Sequence, residues 1–360
     1  MNNDGTGEFS VAARENPTRA QRRGARPGRV TIDQVAEAAG VSTATVSRAM
    51  AGRPVRADLA ERVLRTAGEL GYQPNRAAQG LASGAYRTIG VVVPDLENPY
   101  FSGVLKRITL SAAGADFKTI VADANNDPDE ELPLCRSLLQ QVDGLVVVSP
   151  RMSSTALREL ASMAPTTVLV NRVAAGVGLS TVSVDAFGAM LKICGHLVGL
   201  GHREVAYLAG PPTAWQEQQR WQAVQRAEAF GLTGLAVPAG STVDDGSRVA
   251  EQALATGATA LVAFNDLVAI GALQRLAQLG VSVPGEVSVT GSDDIPFASC
   301  VRPGLTTTAA PRAELGDATW TRLAAAMNGE PPVDVPQLEP ILVIRDSTGP
   351  PPHPAPAARS

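Results

Sequence analysis

The 360-residue chain is poor in the groups that redox, metal and disulfide chemistry need, with three cysteines and three histidines. Cys135, Cys194 and Cys300 are odd in number and far apart, which excludes a disulfide framework and a zinc-ligand spacing; buried thiols are expected. His196 and His202 stand six apart and His353 lies in a Pro-rich tail, so neither a metal pair at helical spacing nor a catalytic histidine is expected. There is no apolar run of about 18 residues and no charged-then-apolar leader, so neither a membrane span nor a signal peptide is expected, and the chain should work in the cytoplasm. Enzyme signatures are missing too. The segment VVVPDLENPY (91–100) has no Gly with which to turn around a dinucleotide phosphate, and neither a P-loop nor a G-x-S-x-G elbow occurs. No catalysis and no cofactor are expected.

What is present begins with VTIDQVAEAAGVSTATVSRAM (30–50). Thr31 is placed to cap a helix and Gln34 completes a capping box. Ile32, Val35, Ala36 and Ala39 follow at helical spacing, and Gly40 supplies a left-handed end. Ser42 is placed to cap a second helix, with Val46, Ala49 and Met50 inward and Thr43, Ala44, Ser47 and Arg48 outward. A small polar face carrying one Arg suits the DNA major groove, where bulk is excluded and a guanidinium can bond a guanine edge twice. An ordinary helical hairpin would satisfy the same pattern. Residues 58–70 then put Leu59, Val63, Ala67 and Leu70 on one face ahead of Gly71, which predicts a third helix closing a small core.

With LGYQPNRAAQGLASG (70–84) following, the chain resembles the LacI family of bacterial transcription regulators. The shared runs are VTI..VA..AGVS.ATVSR and LGY.PN..A..L, and the resemblance extends from Val30 to about Arg345. It implies a helix-turn-helix domain (30–74) that meets DNA through Thr31, Ser42, Thr43, Ala44, Thr45, Ser47 and Arg48. It also implies a hinge and linker (75–87) in which Asn75, Ala78 and Leu81 reach DNA, Leu81 as a wedge in the minor groove. Two departures stand out. Leu59 and Ala60 replace the Thr-Arg usual in the third helix, leaving Arg56 and Arg62 to supply a phosphate contact; Gly80 costs the hinge helix about 1 kcal/mol. Charge separates the same regions without the resemblance: residues 14–87 hold thirteen Arg against six acids, whereas 88–360 hold eighteen basic against twenty-seven acidic residues. A basic head suits a phosphate backbone. The ends, 1–29 and 347–360, are rich in Pro, Gly, Ala and Arg and are expected to be disordered.

From Thr88 onward apolar strands alternate with helices. Strand candidates are 88–94, 117–123, 144–149, 166–171, 181–185, 204–210, 261–265 and 287–293, with helices such as 99–115 and 266–279 between them. This alternation predicts an α/β core of doubly wound parallel sheets, behind a small all-α N-terminal domain. The resemblance implies two periplasmic-binding-protein-like subdomains within a core of 88–346. Three crossings are expected near 183–186, 307–311 and 329–336, giving one subdomain of about 88–184 and 311–330 and another of about 185–308 and 335–346.

Ligands in such sheets collect where strand C-termini meet helix N-termini. Asp95 and Asn98 follow the first strand, Asp266 follows Asn265, and Asp294 follows Asp293. The resemblance implies effector contacts at Phe101, Asn171, Arg172, Arg220, Asn265 and Asp293, with Tyr100 a further candidate. Carboxylates, amides and Arg pair with sugar hydroxyls, and aromatic faces cover a ring. Structural roles remain open for each: caps for Asn265 and Asp293, a solvated helix position for Arg220, core packing for Tyr100 and Phe101. Trp215 and Trp221 beside Arg220 fit either a pocket wall or core packing.

The expected function is therefore a sequence-specific DNA-binding regulator, a repressor, on a pseudo-palindromic double-stranded operator. It would act as a homodimer, or as a tetramer of two dimers, with affinity switched by a small-molecule effector, a sugar or sugar derivative. The alternatives are a regulator answering to a nucleoside or purine, and a soluble solute-binding protein. No metal, cofactor or membrane partner is expected.

Overall fold

The structure, a computed structural model, describes residues 30–72, 86–333 and 335–352, so the expectations for Asn75, Ala78, Gly80 and Leu81 lie outside the described residues. The chain divides into two units, at Gln79 and Gly80.

In the first unit the Gln34 amide donates to the Thr31 hydroxyl while the Gln34 side chain accepts from the Thr31 amide at 2.8 Å, and α1 (Ile32–Ala39) starts there. Gly40, at φ 64°, ends it in the left-handed region that a Cβ disfavours. α2 (Thr43–Met50) and α3 (Ala57–Glu69) complete the unit. Its core is Val35, Ala36, Ala39, Val46, Ala49, Val63 and Ala67, with Ile32, Met50 and Tyr72 packed around it. Leu70 departs from expectation: it is 39% exposed. It lies just past the end of α3, where Gly71 at φ 65° turns the chain and Tyr72 takes the core position, its amide donating to Ala67 O at 2.8 Å.

The second unit holds two parallel sheets. The first comprises β1 (Thr88–Val93), β2 (Lys118–Asp123), β3 (Gly144–Val148), β4 (Thr167–Val170) and β5 (Ser180–Val182) in the order β2-β1-β3-β4-β5. α4 (Pro99–Gly114), α5 (Pro128–Leu138) and α6 (Ser154–Met163) connect them. β1, β3 and β4 are buried throughout, as near-continuous Val and Leu runs covered on both faces should be. After α7 (Ala186–Leu200), the second sheet runs β7-β6-β8-β9, from β6 (Glu204–Ala209), β7 (Thr233–Pro238), β8 (Ala260–Ala263) and β9 (Ser288–Thr290). Its helices are α8 (Trp215–Arg226), α9 (Val243–Leu254) and α10 (Asp266–Gln278). α9 and α10 touch backbone to backbone: a Cβ at Gly246 would collide with the carbonyl of Val268, and one at Gly271 with that of Val243. β10 (Thr307–Ala309) and β11 (Ile341–Val343) form an antiparallel ribbon, with α11 (Arg312–Met327) between them in sequence.

Three strands escape the sequence pattern. β7 is a largely exposed edge strand containing Gly and ending in Pro, and β10 and β11 are three residues each, too short for periodicity. Three further expectations need correction. The sequence puts the last passage between sheets at 329–336, yet Leu338 N still donates to Ser183 O at 2.8 Å and Leu338 O accepts from Asp185 N at 2.9 Å, so the chain leaves the first sheet's edge after Leu338. Residues 347–352 are ordered where a disordered tail was expected to begin: Ser347 is fully buried, its hydroxyl accepts from Thr306 N and donates to Val289 O, and Gly349 O accepts from His202. The tail there satisfies polar groups at the edge of β9, which composition does not reveal. Cys135 and Cys194 are buried, but Cys300, after the turn at Pro296–Ser299, is exposed. Among the described residues no helix is long and apolar enough to cross a membrane.

Candidate DNA-reading helix and effector cleft

Ser42 spends its hydroxyl on the start of α2, accepting from Thr45 N at 3.2 Å and lying 2.9 Å from Thr45 Oγ1. Two of the candidate hydroxyls are thus committed to holding the helix. Thr43, Ala44 and Arg48 are exposed, and Thr45 and Ser47 half-buried. Arg48 Nε donates to Ala44 O at 3.3 Å, which steers the guanidinium along the helix and leaves its two terminal nitrogens without a partner among the described residues. Thr31 is exposed and engaged in its capping box. Arg56, expected to replace a missing phosphate contact, instead forks onto Asp58, with Nε 2.9 Å from Oδ1; that guanidinium pulls the Asp58 carboxyl down to about 2. Arg62 is exposed and unpaired among the described residues.

In the second unit a cleft of about 490 Å3 is lined by residues from both sheets. Asp95, Asn98, Tyr100, Phe101, Asn126, Ser149, Arg151 and Asn171 come from the first; Ala214, Gln216, Arg220, Ser241, Phe264, Asn265 and Asp293 come from the second. Strand endings build it. Ser149, Asn171 and Asp293 follow β3, β4 and β9 and take φ values of 46°, 55° and 114°, left-handed conformations that non-Gly residues avoid and that cluster at binding sites.

Arg220, 8% exposed, donates to Phe264 O at 2.7 Å and to Asp293 Oδ1 at 3.1 Å, and lies 4.8 Å from the centre of the Phe264 ring. It is therefore a buried, oriented cation rather than a solvated helix residue. Asn265 is a cap and also lines the cleft: Oδ1 caps α10 by accepting from Val268 N, and Nδ2 donates to Ser241 O. Asn171 Nδ2 donates to the Tyr100 hydroxyl at 2.6 Å, and its Oδ1 accepts from Val184 N. Tyr100 and Phe101, in edge-to-face contact, belong to the first sheet's core and also form the cleft floor. Gln216 ties the two walls together, donating to Asn171 O at 2.6 Å and Ser149 Oγ at 3.1 Å.

Burial pushes the Asp293 carboxyl up to about 6, while Arg220 and Arg312 pull the other way. Burial likewise raises the Tyr100 phenol and the carboxyl of Asp266, which accepts from Thr307 Oγ1 and Ile295 N. Asp294 faces away, paired with Arg345 at 2.6 Å. Arg172 does not line the cleft. Its guanidinium is partly buried, feels the Glu131 carboxylate, and leaves Nε without a partner, so the left-handed turn at Asn171 keeps Asn171 at the cleft and Arg172 behind it. Trp221 stacks on Tyr207 in the second sheet's core, and Trp215 does not line the cleft. The aromatic wall is Phe264.

Sequence reasoning missed Asn126, Ser149, Arg151, Gln216, Ser241 and Phe264 as lining residues. The strand-end rule that found Asn171 reaches Ser149, and Phe264 abuts Asn265. Gln216 gives no local signal, because its place depends on how α8 lies across the cleft.

These two features have counterparts in known proteins. Residues 31–75 match the family described as bacterial regulatory proteins, lacI family, and residues 194–348 match the periplasmic binding protein-like domain. Catabolite control protein A of Priestia megaterium is 29% identical over 84% of this chain and 93% of its own length. The repressor CytR of Escherichia coli is 31% identical over 83% and 90%, and the regulator PtxS of Pseudomonas aeruginosa 31% over 90% and 97%. Among solved structures, the Lac repressor dimer bound to operator and the anti-inducer ONPF superimposes with a TM-score of 0.79 at 27% identity, covering 89% of this chain and all of that one. The CelR–cellobiose complex gives 0.67 at 28% identity over the same shares. The helix unit and the two-sheet unit both match over most of the chain's length, and the chain belongs to the LacI family of DNA-binding transcription regulators.

Proposed function

We propose that the protein is a repressor that binds a pseudo-palindromic operator as a homodimer and answers to a sugar or sugar derivative held in the cleft. The observation that carries the DNA half is the outer face of α2, where Thr43, Ala44 and Arg48 stand exposed on a core of its own. Arg48 reads a guanine edge, Ala44 offers a methyl-sized contact, and Thr43 adds a hydroxyl. Leu81 wedges the minor groove. The Lac repressor dimer on its operator supplies the precedent for two-fold half-sites. The effector half rests on a cleft that mixes two carboxylates, amides and guanidinium groups with aromatic rings, a lining suited to a polyhydroxylated ring. The CelR complex with cellobiose is the precedent that supports a sugar. The protein acts in the cytoplasm, where its DNA lies.

The test uses the full chain and the DNA upstream of the genes beside its own. Arg48→Ala should lower selective operator affinity by about tenfold or more, as loss of a bidentate base contact does, while leaving effector affinity intact. Anisotropy titration on operator and on random DNA checks it. Equal loss on both DNAs would reduce Arg48 to a phosphate contact.

A further inference from the structure

One corner of the cleft holds polar atoms that the protein leaves unanswered. Arg151 lines the cavity at 8% exposure, and among the described residues its guanidinium makes no hydrogen bond or ion pair. Its backbone is fixed: the amides of Arg151 and Met152 donate to the buried Glu131 carboxylate at 2.9 and 2.7 Å. Asp95 does not answer the cation, since its oxygens accept from Glu97 N at 2.8 Å and Asn126 Nδ2 at 3.1 Å. The remaining oxygen of that amide, Asn126 Oδ1, is buried with no partner.

Five unused N–H donors and a buried positive charge on a cavity wall are costly unless something outside the chain pairs with them. Burial lowers the Arg151 pKa, although the charges of Glu131 and Asp95 oppose the shift. Sugar hydroxyls would satisfy the donors and leave the charge. A carboxylate or phosphate answers both, because the planar guanidinium matches two oxyanion oxygens at once. The other cleft cation is not available in this way, since Arg220 is already paired with Asp293.

We propose that the effector is an anionic sugar, a sugar acid or a sugar phosphate, whose oxyanion is bound by Arg151 and whose adjoining hydroxyl donates to Asn126 Oδ1. The proposal rests on the effector reading above and narrows it.

The test titrates the full-length chain calorimetrically with matched probes: glucose, glucuronate and glucose 6-phosphate; ribose and ribose 5-phosphate; adenosine. An acid or phosphate should bind at least tenfold more tightly than its neutral parent, with glucuronate and the phosphates separating the two oxyanions. Arg151→Gln should bring that ratio within threefold and Arg151→Lys should keep part of it. Unliganded Arg151→Gln should also melt at a higher temperature, whereas a purely structural Arg would lower it. A neutral sugar binding as tightly as its charged counterpart, or an undiminished ratio in Arg151→Gln, overturns the proposal and leaves the effector reading standing. Binding of adenosine alone, or of no probe at all, overturns the sugar reading and this proposal with it.

Discussion

Asp293 shows what one residue contributes. Its carboxyl is raised to about 6 because burial outweighs the help of Arg220. A group whose folded pKa exceeds its unfolded value stabilises fully below the unfolded value, near 4, and that stabilisation is lost as pH rises through 6. Glu131, Glu217 and Asp266 are raised by burial as well and act with the same sign. These carboxyls should make the unliganded protein lose stability between pH 4.5 and 7, against His196 and His202, which burial lowers and which act with the opposite sign, and Asp293→Asn should flatten that loss by a few kcal/mol, roughly two pKa units of linkage. Urea unfolding at the two pH values checks it; an unchanged pH profile in the variant would show that Asp293 titrates alike in both states. At this scale the sequence was legible where residue type and strand end coincided, as at Asn171 and Asp293. It was silent on Arg151, whose meaning lies in lacking a partner.

Helix ends were the elements most readable in advance. Thr31, Gln34 and Gly40 act through neighbours three or four residues away, so the bounds of α1 follow from local chemistry. The same holds for Ser42 and Asn265 as caps. Element contacts were not readable. Nothing around Gly246 or Gly271 in sequence announces that α9 and α10 meet through their backbones. Gly271→Ala should force those helices apart and cost about 1–3 kcal/mol, more than an added helix-favouring methyl returns. Thermal unfolding measures it, and a stabilised variant would mean that the helices part without penalty.

For the whole molecule, the candidate DNA-reading helix and the candidate effector cleft lie in separate units of one chain, so any influence between the two ligands would be a coupling free energy and must be reciprocal. If an effector weakens operator affinity by some factor, typically about 5–150, operator must weaken effector affinity by the same factor. Titrating effector with and without saturating operator duplex tests this, and unequal factors would place the effector's action at a second site. The bonds from Gln216 to Asn171 O and Ser149 Oγ, which join the cleft walls, are the contacts that a bound effector would have to rearrange.

By itself the sequence determined the reading helix, its caps, the basic charge of its region and the alternation that makes parallel sheets, because each depends on residues within a few turns of one another. Only the tertiary structure decided which polar groups share the cleft and which are already spent. Gln216, Arg220 and Asp293 meet residues tens of positions away in sequence, and the Arg151 guanidinium stands unpaired among the described residues because the carboxylates near it are spent elsewhere, Glu131 on backbone amides and Asp95 on Glu97 N and Asn126 Nδ2. Pairing and desolvation are properties of the folded surroundings, and no local pattern encodes them.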